Sequence, residues 1–407
     1  MTLIKCFTRS HINNIAACLQ LMPEKLILVG DGASMEEPVR RYRRLLQQRQ
    51  SPTAVCTVDT SEKDFTALCR VLCEVVTGEE DPVIDLTGGD ESAIMAVGAV
   101  LAQLSPHARQ KIRVEKFDRK ACCMLDCLQN TCLPQREHAT LRVEELIALH
   151  GGALHTDSYQ PPAETSPKDL EPLWQIVSND PKGWNRAITV LSEFERYSKT
   201  DDKMRIRVDL RSCNISGFPQ KEEILRKFLE QLHHSGIVVN RSSWDYLEYT
   251  YTGTMERFCT QKAGNVLELK TLLEGRSALE NGVPFFQDCL MSVNIDWDGI
   301  LYDRTLHIQE TRNEIDVVLM HGCTPIFISC KNGQIGDEEL YKLHTVAQRF
   351  GGPHAGKMLI ATNLDRKSDA ANISFAQRAW DMDIFLVTDA AELTAEQWKE
   401  CFKSAML

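Results

Sequence analysis

The sequence predicts an α/β protein in three parts, and three observations carry that expectation. Over residues 1–150 short β-rich runs alternate with amphipathic helices. Over residues 156–172 prolines stand among polar residues. Over residues 259–388 the order is helix, three strands, helix, strand, helix, strand. The expected parts are residues 1–155, 156–255 and 256–407, each long enough for its own core.

In the first part, strands are expected at 3–7, 26–29, 54–58, 82–86 and 112–117, with helices at 11–21, 36–50, 64–77 and 92–104. This is the alternation of a doubly wound sheet, in which ligands bind beyond the carboxyl ends of the strands. Thr8-Arg9-Ser10-His11 leaves the first strand and opens a helix. Asp85-Leu86-Thr87-Gly88-Gly89-Asp90 leaves the fourth and does the same. Paired glycines let the backbone approach a ligand, and helix amino termini offer N–H groups to phosphate. Taken alone, Thr87-Gly88-Gly89 also fits an ordinary strand-to-helix turn. Neither a G-x-G-x-x-G nor a G-x-x-x-x-G-K-[ST] pattern occurs, which argues against dinucleotide and P-loop sites. Arg40, Arg41, Arg43 and Arg44 fit a solvated amphipathic helix, because Glu36 and Glu37 lie four residues before Arg40 and Arg41 while Val39, Tyr42, Leu45 and Leu46 form its apolar stripe. Residues 112–128 read as two strands around Asp118-Arg119-Lys120, and 141–150 as a closing helix.

Pro161, Pro162, Pro167 and Pro172 mark a linker. Beyond it a helix at 184–197, a strand at 204–210, a helix at 220–233 and a hairpin at 237–252 suggest either a small winged-helix-like α+β module or a plain connector.

The last part opens with a helix at 259–279, in which Glu268 sits within Val266-Leu267-Glu268-Leu269, an unusual place for a charge. A strand at 288–297 follows. Then comes NEIDVVLMHGCTPIFISCKNG, residues 313–333, where two β-rich runs flank one tight turn. With Gly322 and Cys323 as the loop, His321 faces Thr324, Asp316 faces Ser329 and Glu314 faces Lys331. Period-two alternation puts these last four on one face and Ile315, Val317, Ile326 and Ile328 on the other. The arrangement fits a supported polar site, or an amphipathic hairpin with a Glu314–Lys331 ion pair. A helix at 337–350 carries Glu339, Tyr341 and Lys342; strands at 358–362 and 384–388 and a helix at 373–382 complete the pattern.

The chain has 407 residues, 43% of them apolar, and a formal net charge of −11. Such acidity argues against tight duplex wrapping, which needs many phosphates neutralised by Lys and Arg. No apolar run approaches the ~20 residues that span a bilayer, and the first residues lack a signal peptide's layout, so a cytoplasmic location without membrane contact is expected. Fifteen cysteines, an odd number, point to reduced thiols; Cys122, Cys123, Cys127 and Cys132 lack the paired C-x-x-C spacing of zinc ribbons.

Asp316 followed by Ser329-Cys330-Lys331 resembles the PD-(D/E)XK nuclease pattern. Together with the loops at Thr8–Ser10 and Leu86–Gly89, the chain resembles the CRISPR-associated Rossmann-fold (CARF) effector nucleases of type III CRISPR systems in domain order over nearly its whole length. The resemblance implies a Rossmann-like CARF domain, a connector and a restriction-endonuclease-like domain. It implies a homodimer in which Thr8, Arg9, Ser10, Thr87, Gly88 and Gly89 face cyclic oligoadenylate, with cyclic tetra-adenylate the expected ring. Asp90, where related loops often have a small residue, is expected to bond ribose hydroxyls or adenine amines. Asp316 and Glu268 would hold Mg²⁺ or Mn²⁺, with Glu314 or Glu339 as further acids. Lys331 would position or deprotonate water, and Ser329, standing where the family has its second acid, would bond a water of the metal. The implied activity is ligand-activated endonuclease cleavage of DNA or RNA. The alternatives are a sensor with an idle nuclease domain, or a ring nuclease that degrades its own ligand.

Overall fold

The computed structural model describes residues 1–60, 64–119, 121–133, 139–155, 158–200, 202–299, 312–333, 335–362 and 369–406. Lys120 of the expected turn and residues 156–157 of the expected linker lie outside the described residues.

The front of the chain runs β1 (Thr2–Cys6), α1 (His11–Leu21), β2 (Lys25–Gly30), α2 (Gly32–Gln48), β3 (Ala54–Asp59), α3 (Phe65–Gly78), β4 (Pro82–Asp85), α4 (Glu91–Gln103), α5 (Pro106–Gln110), β5 (Arg113–Asp118), β6 (Cys123–Asp126) and β7 (Thr131–Cys132). The sheet order is β3-β2-β1-β4-β5-β6-β7, parallel through β5 and antiparallel at the β6–β7 edge. Both faces are covered, as a parallel sheet requires. Leu3 points to one apolar cluster and its neighbour Ile4 to another, each fully buried. The helices start where short polar side chains cap them: Asp31 accepts the Ser34 N–H at 2.8 Å, so α2 begins four residues before the expected start at Glu36.

Then come α6 (Val143–Leu149), β8 (Ala153–His155), α7 (Pro167–Asn179), α8 (Pro181–Glu195), β9 (Arg205–Asp209), α9 (Phe218–His234), β10 (Val238–Asn240) and β11 (Tyr246–Tyr251). The proline-rich segment therefore contains a helix that the linker reading missed. Pro167 occupies its first turn, where an N–H has no intrahelical partner anyway, and Ser166 and Asp169 close a capping box. Strands β10-β11-β9 form a three-stranded antiparallel sheet beside α8 and α9, and this module shares its core with the back of the chain.

The back comprises α10 (Thr254–Gln261), α11 (Asn265–Ser277), β12 (Leu279–Glu280), β13 (Val283–Pro284), β14 (Asp288–Asp296), β15 (Arg312–His321), β16 (Thr324–Lys331), α12 (Glu338–Gly351), β17 (Gly356–Ala361), α13 (Asp369–Asp381), β18 (Phe385–Val387) and α14 (Ala395–Ala405). Its six-stranded sheet has the order β18-β17-β16-β15-β14-β8. The edge strand β8 comes from the front of the chain and pairs His155 with Asn294 and Ala153 with Asp296. One apolar cluster runs from Leu3 and Leu28 through Leu146 to Val318, Phe327 and Phe350, so the two large sheets bury residues against each other's helices. Burying each such side chain stabilises by ~1.5–3 kcal/mol. Among the described residues no helix is long and apolar enough to cross a membrane.

Candidate functional site

The hairpin β15–β16 turns at Gly322, whose φ is +58°, and pairs His321 with Thr324, the expected register. The expected division into a wet and a dry face is corrected by the structure. Val317, Leu319, Ile326 and Ile328 pack toward α11, while Val318, Met320 and Phe327 pack toward α12, so both faces are buried along most of the hairpin. Polar groups gather only at its open end. Ile315 lies in the same cluster as Val318, not with Val317, because alternation breaks at Asp316. On the neighbouring β14, Ser292 has φ +48°, and the ladder pairs Met291 with Val317 and Val293 with Ile315 but leaves out Ser292 and Asp316 between them.

The β15–β16 ladder ends at Val317 and Ile328. There Asp316 takes over from the backbone: its Oδ2 accepts the Cys330 N–H at 2.7 Å and the Ser329 hydroxyl at 3.2 Å. The Lys331 Nζ stands 3.5 Å from the same oxygen and 3.1 Å from Glu339 Oε2 on α12. The β15–β16 ladder stops short of Glu314 and Lys331, and the ion partners of Lys331 are Asp316 and Glu339, while on its other side Glu314 pairs with Asn294 of β14. Burial would lower the Lys331 value, but Asp316 and Glu339 outweigh it and hold the ammonium above its ordinary range. Lys331 is therefore a permanent cation at neutral pH.

Glu268 enters from the opposite side. The expected helix at 259–279 is two helices, broken around Lys262–Gly264, and Glu268 lies in the first turn of the second. Its carboxyl is pushed up to about 8, first by burial and then by the charges of Asp316 and Glu314, against the smaller pull of Lys262 and Lys331. Among the described residues no group of three or more His, Cys, Asp or Glu side chains is arranged to hold a metal. Mg²⁺ needs fewer, since it binds through one or two carboxylates plus waters and substrate phosphate. The donor set suits such an ion: Asp316 Oδ1 makes no hydrogen bond among the described residues, and the Glu268 proton is one that a cation would displace.

The sequence reading missed Asn332 and Asn185. Asn332 follows Lys331 and donates to Asn185 Oδ1 at 2.9 Å, while Asn185 on α8 donates back to the Asn332 carbonyl. This ties the middle module to the end of β16; the only signal was an Asn-Gly pair after the lysine.

At the front, β1 and β4 are adjacent and parallel, and the strand order reverses between them, so the loops after both strands meet at a topological switch point. Several side chains expected to face a ligand are occupied by the fold. The Thr87 hydroxyl is buried, donates to Asp85 and accepts the Phe117 N–H at 2.7 Å. Ser10 and Asp90 cap α1 and α4. Thr8 bonds Asn14 through its N–H at 2.9 Å. Arg9, Gly88 and Asp90 are exposed. Gly88 has φ +63°, and a Cβ there would stand 1.9 Å from the Asn13 Nδ2. Beneath this loop lies a residue taken from sequence only as part of a turn: Arg119 donates to Asn13 Oδ1, and its Nη1 is buried without a partner among the described residues. Burial lowers its value to about 10.

No family model and no curated protein matches the chain. Solved structures do. Protein VC1899 from Vibrio cholerae superposes with a TM-score of 0.71 at 16% identity, covering 99% of this chain and 98% of that one. Can2 from Sulfobacillus thermosulfidooxidans, solved in complex with cyclic tetra-adenylate, superposes with a TM-score of 0.65 at 15% identity, covering 100% and 97%. At these identities the likeness establishes the fold: a mixed α/β chain with a Rossmann-like parallel sheet, shared from end to end.

Proposed function

We propose that this chain is a metal-dependent endonuclease switched on by a cyclic oligoadenylate, acting as a homodimer. The observation that carries the reading is the meeting of Asp316, Lys331 and Glu268 at the opening of the hairpin, three groups drawn from two strands and a helix. When bound, a divalent ion would supply charge to neutralise the scissile phosphate and acidify water, held by Asp316 and Glu268. The chain's own residues do the rest. Lys331, held by Asp316 and Glu339, orients the phosphate and attacking water through its charge. Glu339 holds the ammonium in place, and the Cys330 N–H and Ser329 hydroxyl fix Asp316. Ser329 thereby acts as a positioning residue.

The ligand class is taken from Can2, whose structure holds cyclic tetra-adenylate, and from the switch-point loops at Thr8–Ser10 and Thr87–Asp90. A route from ligand to site is supported by the hairpin tip: the Gly322 carbonyl accepts the Leu141 N–H at 3.0 Å, and a Cβ on Gly322 would meet Cys122 Sγ at 2.6 Å. The hairpin that carries Asp316 and Lys331 is thus seated on the front part of the chain. Gating requires the ligand to bind the active arrangement better than the inactive one. The test is cleavage of labelled single-stranded DNA and RNA with Mg²⁺ or Mn²⁺, with and without cyclic tetra-adenylate. Cleavage by wild type and a fall of ~10²–10³-fold in Lys331→Ala is expected; equal activity in the two removes the site.

A second reading, a sensor whose back domain no longer cuts, is favoured by one observation. The family's second acid position holds Ser329, whose hydroxyl is turned to Asp316. In that case Mn²⁺ neither stabilises the protein nor permits cleavage.

A further inference from the structure

Between α2, α6 and the β8–β14 edge lies a cavity of about 510 Å³ whose charged lining is Arg41, Arg44 and Arg142 together with Glu144 and Glu145, the latter held by Arg49. The other arginines of this stretch are engaged: Arg40 with Glu36 and Glu37 at 2.6 Å each, Arg43 with the Val55 carbonyl at 2.8 Å, and Arg49 with Glu145 at 2.6 Å. Arg41 and Arg44 make no ion pair or hydrogen bond among the described residues. Arg142 reaches Glu145 only at 3.4 Å, on a carboxylate that Arg49 already holds. Two unpaired cations and a third weakly paired one therefore face one concavity in a chain whose net charge is −11.

At the inner edge of that hollow the chain packs closely on itself. Gly151 has φ +86°, and a Cβ there would stand 2.8 Å from the Arg41 Nη2; one on Gly152 would meet the Asp296 carbonyl at 2.8 Å, and one on Gly299 the Gly151 carbonyl at 2.7 Å. Glycine is needed here so that backbone and the Arg41 guanidinium can approach one another closely, and it is the guanidinium forks on the open side that can take phosphate oxygens in pairs.

The groove lies along the sheet that carries the candidate site. Glu314 pairs with Asn294, and Asn294 with His155, so one row of residues crosses from β15 to β8, whose Ala153 and Leu154 line the groove. At ~4.8 Å per strand, roughly 10 Å separates the backbones of Glu314 and His155. We infer that this groove binds the phosphodiester backbone of the nucleic-acid strand outside the cleavage site, an assignment that rests on the nuclease reading for its purpose.

The test is fluorescence anisotropy of labelled oligo-dT and oligo-U on the full chain carrying Lys331→Ala, without divalent metal, over a salt series. Arg41→Ala/Arg44→Ala is expected to weaken binding about tenfold or more and to reduce the slope of log affinity against log salt by about 1.4, two released counterions on a single strand. Arg40→Ala, whose side chain is already paired, is expected to stay within about twofold of the parent. Arg44→Glu, at an exposed position, serves if the double variant is poorly folded, and is expected to lose at least as much. Unchanged affinity in a folded groove variant, an equal loss in Arg40→Ala, or no binding of either probe by the parent overturns the groove. The arms separate it from the active site: normal cleavage with groove-independent binding removes the groove alone, and groove-dependent binding without cleavage in the wild type removes the active site alone.

Discussion

The Lys331 ammonium and the Asp316 carboxylate stand 3.5 Å apart where the hairpin ladder opens, and the Cys330 N–H binds the same carboxylate oxygen at 2.7 Å. The aspartate therefore has two separable tasks, holding the backbone and presenting a charge. Asp316→Asn keeps an acceptor for Cys330 and is expected to stay within ~1 kcal/mol of wild-type stability. Asp316→Ala leaves that N–H without its partner and is expected to lose ~1–3 kcal/mol. Both are expected to abolish cleavage, as read by chemical denaturation beside a nuclease assay. Equal stability of the two variants contradicts the backbone task.

Lys331→Ala removes the charge without opening the ladder. Cleavage is expected to fall by ~10²–10³-fold, the scale of losing one electrostatic stabiliser of a developing oxyanion. Binding of cyclic tetra-adenylate, measured by calorimetry, is expected to stay unchanged.

Glu268 gives a pH signature. Its carboxyl titrates near 8 in the folded chain against an ordinary value of 4.5, so between these values the native state holds a proton that the unfolded state has released. Stability from this group is thus greatest below about 4.5 and is lost as pH rises toward about 8. Glu268→Gln is expected to raise Tm relative to wild type, and more at pH 8 than at pH 5. Mg²⁺ is expected to narrow the difference by stabilising wild type alone. A variant less stable than wild type at every pH contradicts the like-charge account.

His11 and His150 give the opposite slope. Burial first, then neighbouring charges, lowers them to about 3 and about 4 from 6.5, and their rings meet edge to face at 4.9 Å where α1 meets α6. Both stay neutral in the fold while the unfolded chain takes up protons below about 6.5, so stability present above that value is lost as pH falls toward 4. His150→Phe is expected to flatten the decline of Tm between pH 6.5 and 4; an unaltered slope contradicts it.

Gly88→Ala places a Cβ 1.9 Å from the Asn13 amide in a left-handed conformation. A loss of ~1–2 kcal/mol from the backbone conformation alone is expected. Asn13 must also shift, and with it the Arg119 beneath, so cyclic tetra-adenylate binding is expected to fall in calorimetry. Intact binding removes this loop from the ligand site.

Much of this was legible because both large sheets have strong local signals. Parallel strands such as Leu26–Val29 are continuous apolar runs between capped helices, and the tight turn at Gly322 sets the hairpin register locally. What escaped depends on contacts distant in sequence. Ile315 and Val317 fall in different clusters across Asp316, where the ladder to Ser292 on another strand is interrupted, and β8 joins a sheet whose other members lie beyond residue 287. Thr87 resembled a ligand contact because its role, holding Asp85 and the Phe117 N–H, appears only when β4 and β5 are side by side. Arg119 was hidden for the same reason. Its partner Asn13 is 106 residues away.

The most direct test of the central claim is cleavage of labelled single strands by wild-type chain in a two-by-two design, with and without cyclic tetra-adenylate and with and without Mn²⁺. The account predicts product only when both are present, and at least ~10²-fold less from Lys331→Ala under the same conditions. Cleavage that ignores the ligand, or persists undiminished in Lys331→Ala, contradicts it.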